Sequence, residues 1–392
     1  MQGERFAAFL SIQGGRTRHG ATQPPPFMRL SGITKEKNNS VVGLDIEAGS
    51  VAATELKLNG SAELTGTAIG PLEPGAFHEG EVQDAERLVA GLKELFAEHK
   101  LGKRVRLGVG NQGVVVRTVR LPAIEDPKQM EAAVRFQAQE QMPMPLDQAV
   151  LEHQVVGGVP AEEGQPPQVD VIVVAARRDM ISSFLEPLRR AGLEPFGVDL
   201  SAFGMIRALA GEPAAAGPDA AESGAERPAS AVLYCNVGDV TNLAVARGRS
   251  CLFTRVSHAG LEATCGALGS SLALSAEHAT QWLGHVGLER PAAEIEGDQE
   301  TVLEVRRALE ESVFTLLDEL RLSLDYYGAQ EAALPVERVV LCGPGSAIPG
   351  LATRMEAGLG LPMTVSRPAA LGGLDAASAA RLTLPYGLAL EG

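Results

Sequence analysis

Short apolar runs broken by turn residues alternate with longer stretches of helical period, which predicts an α/β chain. Order begins at Val41. VVGLDIEAG reads as a buried strand ending in a turn, SVAATELKL as a second strand and ELTGTAIGPL as a third, with Asn59-Gly60 as the hairpin signal between the last two. Residues 84–100 place Leu88, Val89, Leu92, Leu95 and Phe96 on one helical face behind an acidic start at Asp84, and KRVRLGVG follows as a strand. The texture changes at GVVVRTVRLP. A helix over about 127–140, the Pro-interrupted QMPMPLDQAVLEHQVV, an apolar strand over 169–176 and a helix over 178–191 stopped by Gly192 predict a small α+β subdomain. It spans 114–195 and is inserted into a first domain made of residues 41–113 and 196–210.

Residues 211–230 are Ala, Pro, Gly and Glu without period and read as a flexible linker. Beyond it the pattern repeats. AVLYCNVGDVTNLAVARGRSCLFTRV is again strand, tight turn, strand, Gly turn, strand; laid over the first meander it sets Asn236 opposite Asp45 and Thr241 opposite Ser50. Two domains that open alike predict a duplicated architecture, the second spanning 231–392 with a helical subdomain over 266–334. The long helix from Thr301 to about Tyr327 carries Val302, Val305, Leu309, Val313, Leu316, Leu320, Leu324 and Tyr327 at helical spacing. The strand RVVLCG, the loop GPGSAIPG, the helix LATRMEAGLG, the strand MTVSRP and a last helix near 384–390 close the chain.

Composition narrows the partners. Of 392 residues, 45% are hydrophobic and 21% charged, and the formal net charge of -15 disfavours nucleic acid and anionic lipid as partners of the whole surface. No apolar run reaches the ~20 residues that span a bilayer, so direct membrane insertion is not expected and a cytoplasmic location is. Residues 1–40, with Pro24-Pro25-Pro26 and a small basic excess, read as a solvated tail or an extension. Cys235, Cys251, Cys265 and Cys342 form no CxxC pair and read as buried free thiols. His278, Trp282 and His285 read as a packed or solvated helix surface, and no GxSxG nucleophile elbow is present.

Three segments carry candidate chemistry. In Gly43-Leu44-Asp45-Ile46-Glu47-Ala48-Gly49-Ser50, a carboxylate ends a buried strand beside a turn with Gly49 and Ser50. Asp45 could orient Mg2+, and the turn amides and hydroxyl could cradle phosphate oxygens. Asn236, Gly238, Asp239 and Thr241 form the same strand–turn–strand in the second half, so two facing hairpins would clamp phosphates between domains. The loop after Cys342, with Gly343, Gly345 and Ser346, has the small residues that let backbone lie against a base and ribose, and no GxxxxGK[ST] loop is present. Asp199 is the candidate water-orienting catalytic carboxylate, or else a cap of the helix after it.

The three segments in this order resemble the two phosphate segments and the adenosine segment of the actin-like ATPase superfamily. Within it the chain resembles the PilM family of type IV pilus assembly proteins. LDIEAGSVAATEL resembles that family's DIGSSSVKAVEL strand, the run from Val134 to Leu151 resembles its VRWEAERYIPFPIDEVVLDF, and Val174-Ala175-Ala176-Arg177 resembles its AAR segment. The resemblance covers about 41–392. It implies a duplicated actin-like ATPase fold with two large domains and a small inserted α+β subdomain, shared with FtsA. Glu47 stands where the family has Gly, Ala52 where it has Lys, and Asn236 where it has Asp.

The resemblance further implies ATP and Mg2+ between the two domains. It also implies a groove between the inserted subdomain and the first domain for the N-terminal tail of a PilN-like inner-membrane protein, with other pilus inner-membrane and motor components as further partners. Arg135, Phe136, Met142 and Met144 are the candidates for lining or shaping that groove. Nucleotide binding is expected ahead of hydrolysis, with ATP holding the domains together and so fixing the groove. The alternatives are an FtsA-like polymer-forming ATPase, a nucleotide-free adaptor on the same fold, and a small-molecule kinase. The end RLTLPYGLALEG, too short and not basic, lacks FtsA's membrane helix.

Overall fold

The computed structural model describes residues 40–159, 166–210, 230–330 and 333–390. The expected tail and linker lie, but for Ser40 and Ser230, outside the described residues. The chain opens with β1 (Ser40–Glu47), β2 (Ser50–Leu58) and β3 (Ala62–Pro71), then a short hairpin of β4 (Phe77–His78) and β5 (Glu81–Val82). Helix α1 (Ala85–His99) starts where Asp84 accepts the amides of Glu86 and Arg87 and ends at Lys100 in the left-handed region. Strand β6 (Arg104–Val109) follows, then β7 (Val114–Pro122), α2 (Pro127–Gln141), β8 (Ala149–Val159) and β9 (Gln168–Arg177). Helix α3 (Arg178–Arg190), β10 (Glu194–Leu200) and α4 (Ser201–Leu209) complete the first half.

The second half runs β11 (Ala231–Val237), β12 (Thr241–Arg247), β13 (Ser250–Ser257), α5 (Leu261–Leu272), α6 (Ala276–Val286) and α7 (Gln299–Gly328). Strand β14 (Val336–Cys342), α8 (Leu351–Leu359), β15 (Met363–Val365) and α9 (Ala376–Ala389) end it. The first sheet has the order β10-β6-β1-β2-β3 and the second β13-β12-β11-β14-β15. Read from the meander outward the two are the same: antiparallel pairs join the first three strands, and parallel pairs add the last two. This is the duplicated actin-like fold. The four cysteines are buried and unbridged, and burial pushes the Cys235 and Cys251 thiols up to about 12.

The inserted strands form their own antiparallel sheet, β7-β9-β8. Alternation divides its faces. Val119, Leu121, Val171, Val173 and Ala175 pack under α2 with Met130, Val134 and Ala138. Ile172 and Val174 turn to the other side, against Leu200, Phe203 and Ile206 at α4 and Tyr234 of β11.

Helix α9 starts eight residues before its expected position, capped by Asp375, which accepts the Ser378 amide. It belongs by sequence to the second half but packs on β1, β2 and α4 of the first. Small residues allow that approach. A Cβ on Gly387 would run into the carbonyl oxygen of Gly204, and one on Gly43 into that of Pro385. Ala52, Ala379 and Leu382 share a small buried cluster at the same seam. Gly387→Ala is therefore expected to cost about 1–3 kcal/mol by overpacking, read as a lower melting temperature. An unchanged melting temperature would mean that α9 does not need this close seat.

Candidate functional site

The turns that end β1 and β11 face each other across the two halves. The first is the two-residue turn between Glu47 and Ser50, the second the three-residue turn between Val237 and Thr241. They touch directly: the Ala48 amide donates to the Asp239 carboxylate. A Cβ on Gly238 would run into Glu47, so glycine is what admits the Glu47 side chain there. The sequence placed two hairpins around a gap; the structure closes one on the other.

Behind this contact lies Arg381 of α9, with its side chain only 8% exposed. Its Nη1 donates to Asp45 Oδ2 at 2.5 Å, and its Nη2 donates to the carbonyl oxygens of Asp45 and Ser50, each at 3.2 Å. Its Nε donates to Ser50 Oγ at 3.0 Å and stands 3.1 Å from Glu47 Oε2. Two carboxylates, Asp45 and Glu47, thus share one guanidinium in a buried corner, and Asp239, bonded to the Ala48 amide, is near enough to feel its charge. Burial pushes Glu47 up to about 8; Arg381 opposes this while Asp239 and Asp45 add to it. Burial likewise takes Asp239 to about 6 against the lowering effect of the Ala48 amide, and raises Asp45 against the pull of Arg381. Burial works against the Arg381 charge, but Glu47 and Asp45 more than offset it and its pKa rises.

At the rim, the β4–β5 turn meets the start of α5. His78 Nδ1 lies 2.6 Å from Glu262 Oε1, the Glu79 amide donates to Glu262 Oε2 at 3.0 Å, and His258 pairs with Glu79 at 3.2 Å. The hydrogen bond to Glu262 raises the His78 pKa.

The other expected residues serve the packing of these turns. Thr241 Oγ1 donates to the Ala259 carbonyl at 2.5 Å. Asn236 is buried, and Gly343, at φ +81°, has no room for a Cβ beside it. Gly345 packs on Val237, and Ser346 Oγ donates to the Gly343 carbonyl at 2.7 Å. Gly49 stands exposed at the turn.

Asp199 is neither a free base nor a helix cap. Its carboxylate pairs with Arg207 in a buried contact and accepts the amide of its neighbour Leu200 at 2.8 Å, while Arg207 Nε donates to the Gly387 carbonyl at 3.0 Å. It ties α4 to α9. Met142 is buried in the inserted subdomain's own core and Met144 packs against that core, whereas Arg135 and Phe136 are exposed on α2, Phe136 by 67%.

The family model for type IV pilus assembly protein PilM matches residues 43–382. The chain belongs to the PilM family. It is similar to a solved structure of the PilM-PilN type IV pilus biogenesis complex, at 26% identity and a TM-score of 0.68, covering 90% of this chain and 96% of that one. It also matches the ethanolamine utilization protein EutJ from Carboxydothermus hydrogenoformans (14% identity, TM-score 0.49, 94% and 91% of the two chains). A third match is MreB 5 of Spiroplasma citri bound to AMPPNP (12% identity, TM-score 0.45, 89% and 94%). Among the described residues no helix is long and apolar enough to cross a membrane.

The actin-like fold implies Mg2+ and a nucleotide at the corner of Asp45, and the residues there do not fit that group as arranged. Asp45 is engaged by Arg381, Glu47 adds a second carboxylate, and the cavity between the turns is about 30 Å³. Ligand pockets run to about 300–1,000 Å³. Among the described residues no cluster of three or more His, Cys, Asp or Glu side chains stands ready to hold a metal.

The sequence pointed to Asp45, Ser50, Asn236 and Asp239, which do converge. It missed Arg381, whose signal was a lone charge in the otherwise uncharged helix AASAARLTLPYGLA.

Two outcomes follow. A carboxylate whose folded pKa is raised holds its proton in the native state after the unfolded chain has lost it. Glu47 and His78 both bind protons more tightly in the folded chain, so stability falls as pH rises, for Glu47 between about 4.5 and 8. Glu47→Gln should flatten the fall of melting temperature with pH and exceed the wild type at alkaline pH; an unchanged slope in the variant would refute this. Asp199→Ala should cost about 3–5 kcal/mol by stranding Arg207, measured by denaturant unfolding, and a stably folded variant would return Asp199 to the list of candidate bases.

Proposed function

We propose that this chain is a cytoplasmic scaffold of a type IV pilus or related secretion machine, held at the inner membrane by docking the N-terminal tail of a PilN-like protein. Family membership and the likeness to a PilM-PilN complex support the class of partner. The observation that carries the site is a groove of about 220 Å³ where the inserted sheet meets both halves. Its walls are the edge strands β7 and β13, with Val116 and Arg117 on one side, Thr254 and Val256 on the other, and Leu200 and Asn242 at the base. Two free sheet edges with mixed polar and apolar lining suit an extended peptide, whose backbone can pair with an edge while side chains enter the gap.

This reading keeps the expected place of the groove but changes its lining. Helix α2 covers the opposite face of the inserted sheet, so Arg135 and Phe136 cannot line it, and Met142 shapes the subdomain from within. Exposed Phe136 supports a second reading, in which the tail lies on α2. Neither reading needs a nucleotide step.

A fluorescent peptide of the PilN-like tail, titrated into the purified chain, tests the choice. Thr254→Arg and Val116→Arg should each weaken binding at least about tenfold by filling the gap, with Phe136→Ala near wild type. The reverse ranking would place the tail on α2, and no binding by the wild type would remove the proposal.

A further inference from the structure

The corner of Asp45 contains its own cation. In the family pattern a lysine stands at the place of Ala52, on β2. Here Ala52 is fully buried against Ala379 and Leu382 of α9, and that small residue is what lets α9 lie close enough to deliver Arg381 to the same corner. Positive charge is thus kept at the site but comes from another element, and it points at carboxylates. Four contacts to Asp45 and Ser50 and a fifth to Glu47 fix the guanidinium.

We propose that Arg381 is a tethered cation that replaces the divalent metal of this fold, so that the two halves close through Ala48–Asp239 and Glu47–Gly238 with neither nucleotide nor metal bound. Arg381 sits on the first half together with Asp45 and Ser50, because α9 packs on β1 and β2. Opening the halves would therefore leave it on Asp45. A nucleotide entering an opened cleft would meet an arginine already neutralised, a second carboxylate at Glu47, and Asn236 in place of a charged partner. Without Arg381 the corner would bring Asp45, Glu47 and Asp239 together uncompensated, and the β1–β2 turn could not approach Asp239. The clasp is held by charge supplied from within the chain.

Tail docking plays no part in the test, so the two readings fail separately. The full chain is titrated with Mg-ATP and Mg-ADP by calorimetry, and its unfolding is followed with and without EDTA. The expected results are no saturable heat up to millimolar nucleotide and a melting temperature unmoved by EDTA; saturable magnesium-dependent binding overturns the proposal. In a second arm, Arg381→Met alone should lower the melting temperature by roughly 5–10 °C. Combined with Asp45→Asn and Glu47→Gln it should recover most of that loss, because the one carboxylate left, Asp239, keeps the Ala48 amide and the two beside Arg381 are no longer stranded. A triple variant no more stable than the single one overturns the proposal. If Arg381→Met cannot be purified folded, a folded triple variant gives the same comparison in its favour, and an unfolded one counts against it.

Discussion

A buried guanidinium must be paired, and a buried carboxylate must be paired or protonated; the centre of this protein is organised by that requirement. Arg381 can reach Asp45 and Ser50 only if α9 lies against β1 and β2. That in turn needs Gly43, Gly204 and Gly387 at the contact and Ala52 beneath it. One arginine alone cannot neutralise Asp45, Glu47 and Asp239, and burial, with the two neighbouring carboxylates adding to it and Arg381 opposing it, takes Glu47 to about 8. The geometry of a helix seam and the titration of a turn between the two halves are thus parts of one constraint.

A second buried pair repeats the device. Asp199 and Arg207 join the end of β10 to α4, and Arg207 also holds the Gly387 carbonyl on α9. Arg106 Nη1 donates to the carbonyls of Leu388 and Leu390 at the end of the same helix. The last helix of the chain is therefore bound to the first half by three arginines as well as by packing. Such contacts are poor sources of net stability but costly to break singly, so they favour one seat for the helix over its alternatives.

The fold was legible where period and turn chemistry speak locally. VVGLDIEAGS and AVLYCNVGDV announced the two meanders, and the strands and helices of the insertion fell close to their expected positions. The site was legible only in part. Asp45 and Asp239 converge because duplicated hairpins face each other, which repetition alone predicts. That Asp45 is neutralised there by Arg381 depends on a residue 336 positions away. No spacing rule links the two. Asp199 misled for the same reason: a carboxylate at a strand end looks like a base until its partner eight residues on is seen to be folded back onto it. Met142 and Phe136 lie in one short run, yet the helix turn sends one into the core and the other into solvent.

The clasp and the proposed groove are not independent. Val109, Gly110 and Asn242 line both the small cavity behind the two turns and the groove between β7 and β13. A Cβ on Gly110 would run into Asn242, so the first and second halves also meet closely there. The proposed clasp and the spacing of the β7 and β13 edges therefore share one contact between the halves. In a protein of this fold that closes on a ligand, an equivalent groove would widen and narrow with ligand binding. In the proposed clasp the closing charge is covalently part of the chain, which would hold the groove at one width. A scaffold gains from that: a preformed gap spares an extended peptide the cost of ordering its own receptor, so more of the contact energy remains as affinity.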